Sequence, residues 1–443
     1  MTTTNTAGRV VVIGGGLAGL AAAAYAARAG RHVTVLEKAT ELGGRAATHE
    51  KKGYSLNIGP HALYRGGEAE HVLGELGVQT PGAPPANSGG SYAIDGNKLH
   101  ALPTGPVSLL TSSLLPLGGK IELARLLASL GSLNVASLAD TSFEAFLAER
   151  VHAPEARNVI RAMIRLSTYS SDLERLAADA AISQFQIATT RGVIYLHGGW
   201  QTLVQGLAEV AKARGAAFVA NAKAVSVVRE DGRVRAVRLA DGAEIPADVV
   251  IIAASPALAS SLLPDVPALA AWSAAAIPVT AACLDVALSR LPAPRNTFAL
   301  GIDRPLYFSV HSTSARLAPE GGAVVHVARY GATDDPRASE RELEGVLERL
   351  QPGARGLVVE RRFLPSITVA HDFPQAARGG ARGRPGPVVP GAPGVFVAGD
   401  WVGHAGMLAD ASLASGRAAA LAATRREANV LGDESRKVLD ARA

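Results

Sequence analysis

Apolar and polar positions along the chain change period several times, and each change predicts an element. Residues 10–13 (VVVI) form a short apolar, β-branched run, which predicts a buried parallel strand. Residues 17–29 are helix formers throughout, and Gly30 closes them. "HVTVLE" then predicts a second strand that ends at Glu37. The three together make a strand–helix–strand unit. From 67 to 200 helical spacing dominates: Val72, Leu73 and Leu76, then Ile121, Leu123, Leu126, Leu127 and Leu130, then Val159, Ile160, Met163 and Ile164. Thr141 and Glu144 form a capping-box pattern, and Pro154 sits where a helix would begin. This region is expected to be an inserted, largely helical part.

Residues 198–216 predict one more helix, closed by Gly215, after which strands take over. "AVSVVREDGRVRAVRLADG" predicts a meander, with turns at Asp231-Gly232 and Asp241-Gly242. "ADVVIIAAS" predicts another buried strand, and the runs between 277 and 330 predict an antiparallel sheet. A Gly/Pro-rich connection at 377–394 leads to "VFVAG", Asp400 and a closing helix at roughly 410–427.

Composition narrows the class. With 48% hydrophobic and 19% charged residues, the chain is a folded globular protein. A net charge of +5 spread over 443 residues, without a basic block, argues against a nucleic-acid partner. A single cysteine, Cys283 in "AACLDVAL", cannot form an intrachain disulfide; it reads as a packed core thiol in a reducing, cytoplasmic setting. The polar opening "MTTTNTAGR" lacks the apolar core of a secretory signal. Residues 101–119 are uncharged and nearly long enough to span a bilayer, but Pro103, Pro106 and Pro116 would interrupt a helix. A buried or membrane-resting segment is expected, hence at most a peripheral membrane contact. The histidines are dispersed, so no metal site is expected.

The chemistry begins at Gly14, Gly16 and Gly19, spaced as GxGxxG between the first strand and its helix. The first glycine permits the tight turn, the second lets a pyrophosphate approach the backbone, and the third lets helix and strand pack closely. The N–H groups at Leu17 and Ala18 open the helix and suit phosphate oxygens. Glu37 follows Gly19 by 18 residues, where a carboxylate meets ribose hydroxyls. NAD and FAD both fit up to this point. Gly43, Gly44 and Arg45 come next, a second close-approach pair and a guanidinium that suit a longer, bent dinucleotide.

"VVIGGGLAGL…VLEKATELGGR" and "GVFVAGDWVGHAGMLADASLASGRAAA" together resemble the two flavin signatures of the flavin-containing amine oxidase superfamily. "NIGPHALYRGG" and "GGWQTL" look closest to its phytoene desaturase and protoporphyrinogen oxidase-like branch. The resemblance implies an α/β fold: a Rossmann-like FAD-binding domain (parallel sheet plus β-meander) interleaved with an α+β substrate domain of antiparallel sheet and helices. The expected division is 1–90, 197–262 and 376–430 for FAD, 91–196 and 263–375 for substrate, and a tail at 431–443. It further implies that Glu37 meets the ribose, that Lys38 beside it belongs to the cofactor-binding set, and that Ala224 and Val225 meet the adenine. Gly399 and Asp400 approach the pyrophosphate and ribityl chain. Met407, Leu408 and Ala411 face the flavin ring, and Gly59, Pro60 and His61 line it. No counterpart exists near Asp400 to the cysteine that links flavin covalently in monoamine oxidases, so FAD is expected to be noncovalent.

The expected reaction is dehydrogenation of an apolar small molecule by hydride transfer to the flavin. An amine oxidase or cyclic-amine dehydrogenase is the alternative enzyme, and a noncatalytic flavoprotein that binds a lipid or partner is the alternative of another class. The electron acceptor is left open. His61 and His404 are the candidate catalytic residues; Tyr64, Arg65, Tyr169, Trp401, His371 and Asp372 are candidates to shape the pocket.

Overall fold

The computed structural model describes residues 8–86, 90–103 and 105–440; most of the polar opening at 1–9 and the last residues of the tail lie outside them. Arg9–Ile13 is the central strand of a five-stranded parallel sheet. His32–Leu36 and Ala217–Val219 lie on one side of it, Val249–Ile252 and Val395–Val397 on the other. The central strand and Val249–Ile252 pair along four residues, and both are buried on both faces, which is why they read as continuous apolar runs.

The helix Leu17–Arg28 crosses from the first strand to the second. Ala21 to Ala24 are fully buried, and these short side chains let the helix Leu408–Asp440 come close. A Cβ on Gly416 would lie 2.3 Å from the Ala18 carbonyl oxygen. The closing helix starts two residues before its expected position and runs on to Asp440, because 425–440 holds helix formers and no proline. Beside the parallel sheet lies the meander of Ala224–Glu230, Arg233–Leu239 and Glu244–Pro246. Its Asp231-Gly232 turn has both residues at positive φ, 49° and 73°, as a two-residue hairpin of matching twist requires.

A seven-stranded sheet forms the second layer. Its order is Val358–Ala370, Val279–Leu288, Ala323–Tyr330, Leu306–Val310, Asn296–Gly301, Gly90–Asp95, Lys98–Ala101. Every pairing is antiparallel except that of Asn296–Gly301 with Gly90–Asp95. The last two strands come from the region expected to be helical; Asp95-Gly96, with Gly96 at φ 51°, is the hairpin signal there. The small strand Val193–Leu196 pairs with Leu63–Tyr64 and Gly82–Ala83.

The helices Leu117–Ser129, Phe143–Arg150, Pro154–Thr168 and Ala178–Thr190 pack into one apolar cluster against this sheet. Pro154 opens its helix as expected. The helix at 143 is capped by Ser142 and not by Thr141: the Ser142 hydroxyl accepts the Ala145 N–H at 3.2 Å, while Glu144 pairs with Arg161. Across 101–119, Pro106 begins one short helix and Pro116 caps the next. No helix among the described residues is long and apolar enough to cross a membrane.

Candidate functional site

A cavity opens between the parallel sheet and the seven-stranded sheet, with about 1100 Å³ of atom-free space when the solvent at its mouth is included. Its near end is built from backbone. Gly14 turns at φ +109°, and a Cβ there would lie 2.4 Å from the Ala253 carbonyl oxygen. A Cβ on Gly19 would lie 1.9 Å from the Gly14 carbonyl oxygen, so strand and helix touch without room for a side chain. Gly16 precedes the helix with no side-chain cap, and Gly16, Leu17 and Ala18 line the cavity, so the first helical N–H groups are available to an anion.

Glu37 is buried behind this loop. One carboxylate oxygen accepts the Gly15 N–H at 2.8 Å and the other the Ala39 N–H at 2.9 Å, which leaves each oxygen a further lone pair. The Gly43 N–H donates to the Gly15 carbonyl at 2.8 Å and ties the second glycine pair to the first. Gly44, at φ +55°, starts the short turn that carries Arg45 into the cavity.

Arg45 meets Asp400 there. The guanidinium donates to the carboxylate at 2.5 Å and to the Val369 carbonyl at 2.8 Å. His371 completes the group: its backbone N–H donates to Asp400 at 3.2 Å, and its Nδ1 lies 3.2 Å from Arg45. Burial alone would raise the Asp400 carboxyl, but the Arg45 charge and the His371 contacts outweigh it and hold it well below the usual carboxylate range. Arg384, from the Gly/Pro-rich connection, braces the loop after Asp400. It donates to the carbonyls of Asp400, Ala405 and Gly406 at 3.0, 3.3 and 2.7 Å. Burial lowers its pKa to about 10. Nothing in a loop-like GRPGP segment distinguishes this arginine from a surface charge, and the sequence reading passed over it.

The far wall is side chain. Ala281, Cys283, Ala328 and Ile367 come from the seven-stranded sheet, and Tyr64 and Tyr169 face them from the neighbouring segments. Cys283 is fully buried, and burial pushes its thiol up. The Tyr169 hydroxyl donates to the Pro60 carbonyl at 3.0 Å. His61 lies in the wall beside Pro60 with its ring edge-on to Trp200. Its Nδ1 is 3.0 Å from the Gly59 carbonyl and its Nε2 3.1 Å from the Arg45 carbonyl, and burial lowers its pKa. Both ring nitrogens thus face backbone oxygens.

Other expected residues lie outside the wall. Gly59 sits behind it. Met407 and Ala411 are buried beside Leu408, which does line the cavity. His404 is exposed, 3.3 Å from the Ala381 carbonyl, and does not line the cavity. Trp401 is core: its indole N–H donates to the Ala254 carbonyl at 2.8 Å. Asp372 holds the Ile277 N–H, Gln375 and Arg378. Arg65 is an exposed partner of Glu70. Lys38 is exposed next to Glu37, and the meander reaches the same loop, since the Ala222 N–H donates to the Glu37 carbonyl at 2.8 Å. Ala224 is buried there and Val225 is 41% exposed.

The near end fits a dinucleotide: Leu17 and Ala18 line the cavity at the uncapped start of the helix, Gly14 and Gly19, which cannot carry a Cβ, shape the turn next to it, and Glu37 lies behind that turn, outside the cavity lining, with lone pairs to spare. The family profile described as "Flavin containing amine oxidoreductase" matches residues 17–423. The chain belongs to that family. A coproporphyrinogen III oxidase from Bacillus subtilis is 26% identical over 300 residues, 59% of this chain and 62% of that protein's length. The coproporphyrinogen III oxidase of Propionibacterium freudenreichii is 26% identical over 82% of each chain. A phytoene desaturase from Cercospora nicotianae is 28% identical over 54% of this chain and 44% of its own. Among solved structures, an oxidoreductase from Methanosarcina mazei superposes with a TM-score of 0.72 at 20% identity, covering 92% of this chain and 98% of that one. Family membership carries the flavin, and the shared fold carries the Rossmann-like sheet with its antiparallel companion.

Proposed function

We propose that the chain is an FAD-dependent dehydrogenase that removes a hydride and a proton from an apolar small molecule and leaves a new double bond. The observation that supports the substrate class is the far wall: Ala281, Cys283, Ala328, Ile367, Tyr64 and Tyr169 present no charged group, while Arg45 and Asp400 inside the cavity are paired with each other, with His371 against both. A substrate bearing several carboxylates would leave its charges without cationic partners on this wall.

FAD, when bound, supplies the two-electron acceptor. The chain's own groups bind and orient. Leu17 and Ala18 would offer N–H groups to the pyrophosphate, Glu37 would accept from ribose hydroxyls, and Ala224 and Val225 would border the adenine. Gly399, Asp400 and Leu408 would hold the ribityl chain and ring, and Arg45 balances the Asp400 charge. The only thiol, Cys283, lies in the far wall with its pKa raised by burial, which supports noncovalent attachment. His61 has both nitrogens on backbone carbonyls, and we assign it to shaping the wall rather than to proton transfer. Val107, Leu110 and Leu117, exposed by 76%, 69% and 71%, support a peripheral membrane contact that would deliver such a substrate.

The test is anaerobic mixing of the flavin-loaded protein with phytoene in detergent, coproporphyrinogen III and putrescine in turn. Bleaching of the visible flavin band by the hydrocarbon and by neither of the others is the expected result. Bleaching by coproporphyrinogen III or putrescine alone overturns the apolar reading.

A further inference from the structure

Beside the far wall, one polar row crosses four strands of the seven-stranded sheet. Arg362, Asp285 and His326 are register partners on three adjacent strands, and Ser309 follows on the fourth. Asp285 shares its sheet face with Cys283, two residues along the strand, so this row lies next to the residues that line the cavity, one step farther along the same face. Asp285 and His326 are both 0% exposed.

The Asp285 carboxylate is held from three directions. His326 Nδ1 lies 2.6 Å from one oxygen. Arg362 donates to the other at 2.8 Å, and the Gly59 N–H donates to that same oxygen at 3.3 Å. Arg362 also donates to the Asn57 carbonyl, so the row grips the 57–59 segment twice. An ion pair this deep is poor evidence of stabilisation, because apolar side chains of the same volume commonly do as well. Its position suggests another use. Gly59 turns at φ +75°, and a Cβ there would lie 3.0 Å from both Cys283 Sγ and Ile367 Cδ1. The carbonyl of this same glycine faces His61 Nδ1, and His61 Nε2 faces the carbonyl of Arg45, whose guanidinium pairs with Asp400. A continuous run of contacts thus leads from the sheet, through Asp285, Gly59, His61 and Arg45, to the carboxylate at the near end of the cavity.

We propose that Asp285, clamped by Arg362 and His326, is a positioning residue that fixes the Gly59 peptide and thereby the His61 ring and the Arg45–Asp400 pair. This rests on the flavin reading for the consequence at Asp400, but not for the consequence at His61. Asp285→Asn replaces one acceptor oxygen with an amide donor, so the three donors can no longer all be met.

Histidine-selective ¹⁵N spectra of the protein without added flavin read the first consequence, with the His61 signals assigned by their loss in His61→Gln. FAD titration reads the second. In Asp285→Asn the expected result is shifted, broadened His61 resonances and at least tenfold weaker FAD binding. Leu284→Ala, on the opposite face of the same strand, should lower the melting temperature and change neither readout. Unchanged His61 resonances in a folded Asp285→Asn protein overturn the proposal. If that variant does not fold, Arg362→Gln removes a donor at the more exposed end of the row, and unchanged His61 resonances there overturn it equally. A native chain that binds no FAD while Asp285→Asn still shifts His61 contradicts the flavin reading and leaves the positioning role standing.

Discussion

The two ends of the cavity are made of different material. The near end is largely backbone, with the Arg45–Asp400 pair set into it: uncapped N–H groups, glycines at positive φ and carbonyls braced by Arg384. The far wall is side chain, drawn from strands that meet only in the folded sheet, with a buried polar row beside it. A backbone-built end suits any chain that carries the same dinucleotide, because phosphates and ribose do not vary. A side-chain wall can change residue by residue, and under the proposed function it is the part that would set substrate choice.

The largest effect that would separate the two ends comes from Gly19→Leu. Even a Cβ there falls 1.9 Å from the Gly14 carbonyl oxygen, so the first helix must leave the strand. The purified variant should carry no flavin, as read by its visible absorption. Next is Arg384→Met, which keeps the bulk and leaves three carbonyls without their donor. A loss of about 2–3 kcal/mol is expected, seen as a lower denaturation midpoint and weaker FAD retention. An unchanged midpoint would show that the loop after Asp400 holds itself.

A smaller effect tests the joint between the closing helix and the helix Glu68–Leu76. Asp410 accepts the Ala69 N–H at 2.7 Å, but its other oxygen is buried without a hydrogen-bond partner. Burial raises its pKa to about 6. Between an unfolded value of about 4 and this folded value, the native state holds a proton that the unfolded chain does not. Its contribution therefore favours the fold below about pH 4, declines as pH rises through that window, and stays low above about pH 6. Asp410→Asn keeps the acceptor and cannot ionise. Its melting temperature should match the native protein near pH 4 and exceed it by a few degrees at pH 7; a constant difference across that range would count against the raised pKa. The smallest effect is expected from His404→Ala, which touches neither end: FAD affinity should change by less than about twofold, within ordinary surface-substitution scatter.

How much could be read in advance follows the same division. Gly14, Gly16, Gly19, Glu37, Gly43 and Arg45 lie close together in the chain, and their spacing is itself the geometry, so the near end was legible. So was the Asp231-Gly232 turn, because only a few residue types tolerate its backbone. Ala281 and Ala328 in the far wall were not. Their strands are buried on both faces, so no alternation marks the face that meets the cavity. Asp285, His326 and Arg362 are far apart in the chain and become neighbours only through strand register. The strands at 90–101 were read as part of a helical insert, although Asp95-Gly96 carried the hairpin signal.

The central claim is that the backbone-built end holds FAD without a covalent bond. The most direct test is the visible absorption spectrum of the purified chain, taken before heat denaturation and again on the supernatant after the protein is spun out. The account predicts a flavin spectrum at first, and free FAD in the supernatant afterwards. A chain that is colourless and stays so after incubation with FAD, or a flavin that pellets with the denatured protein, would contradict it.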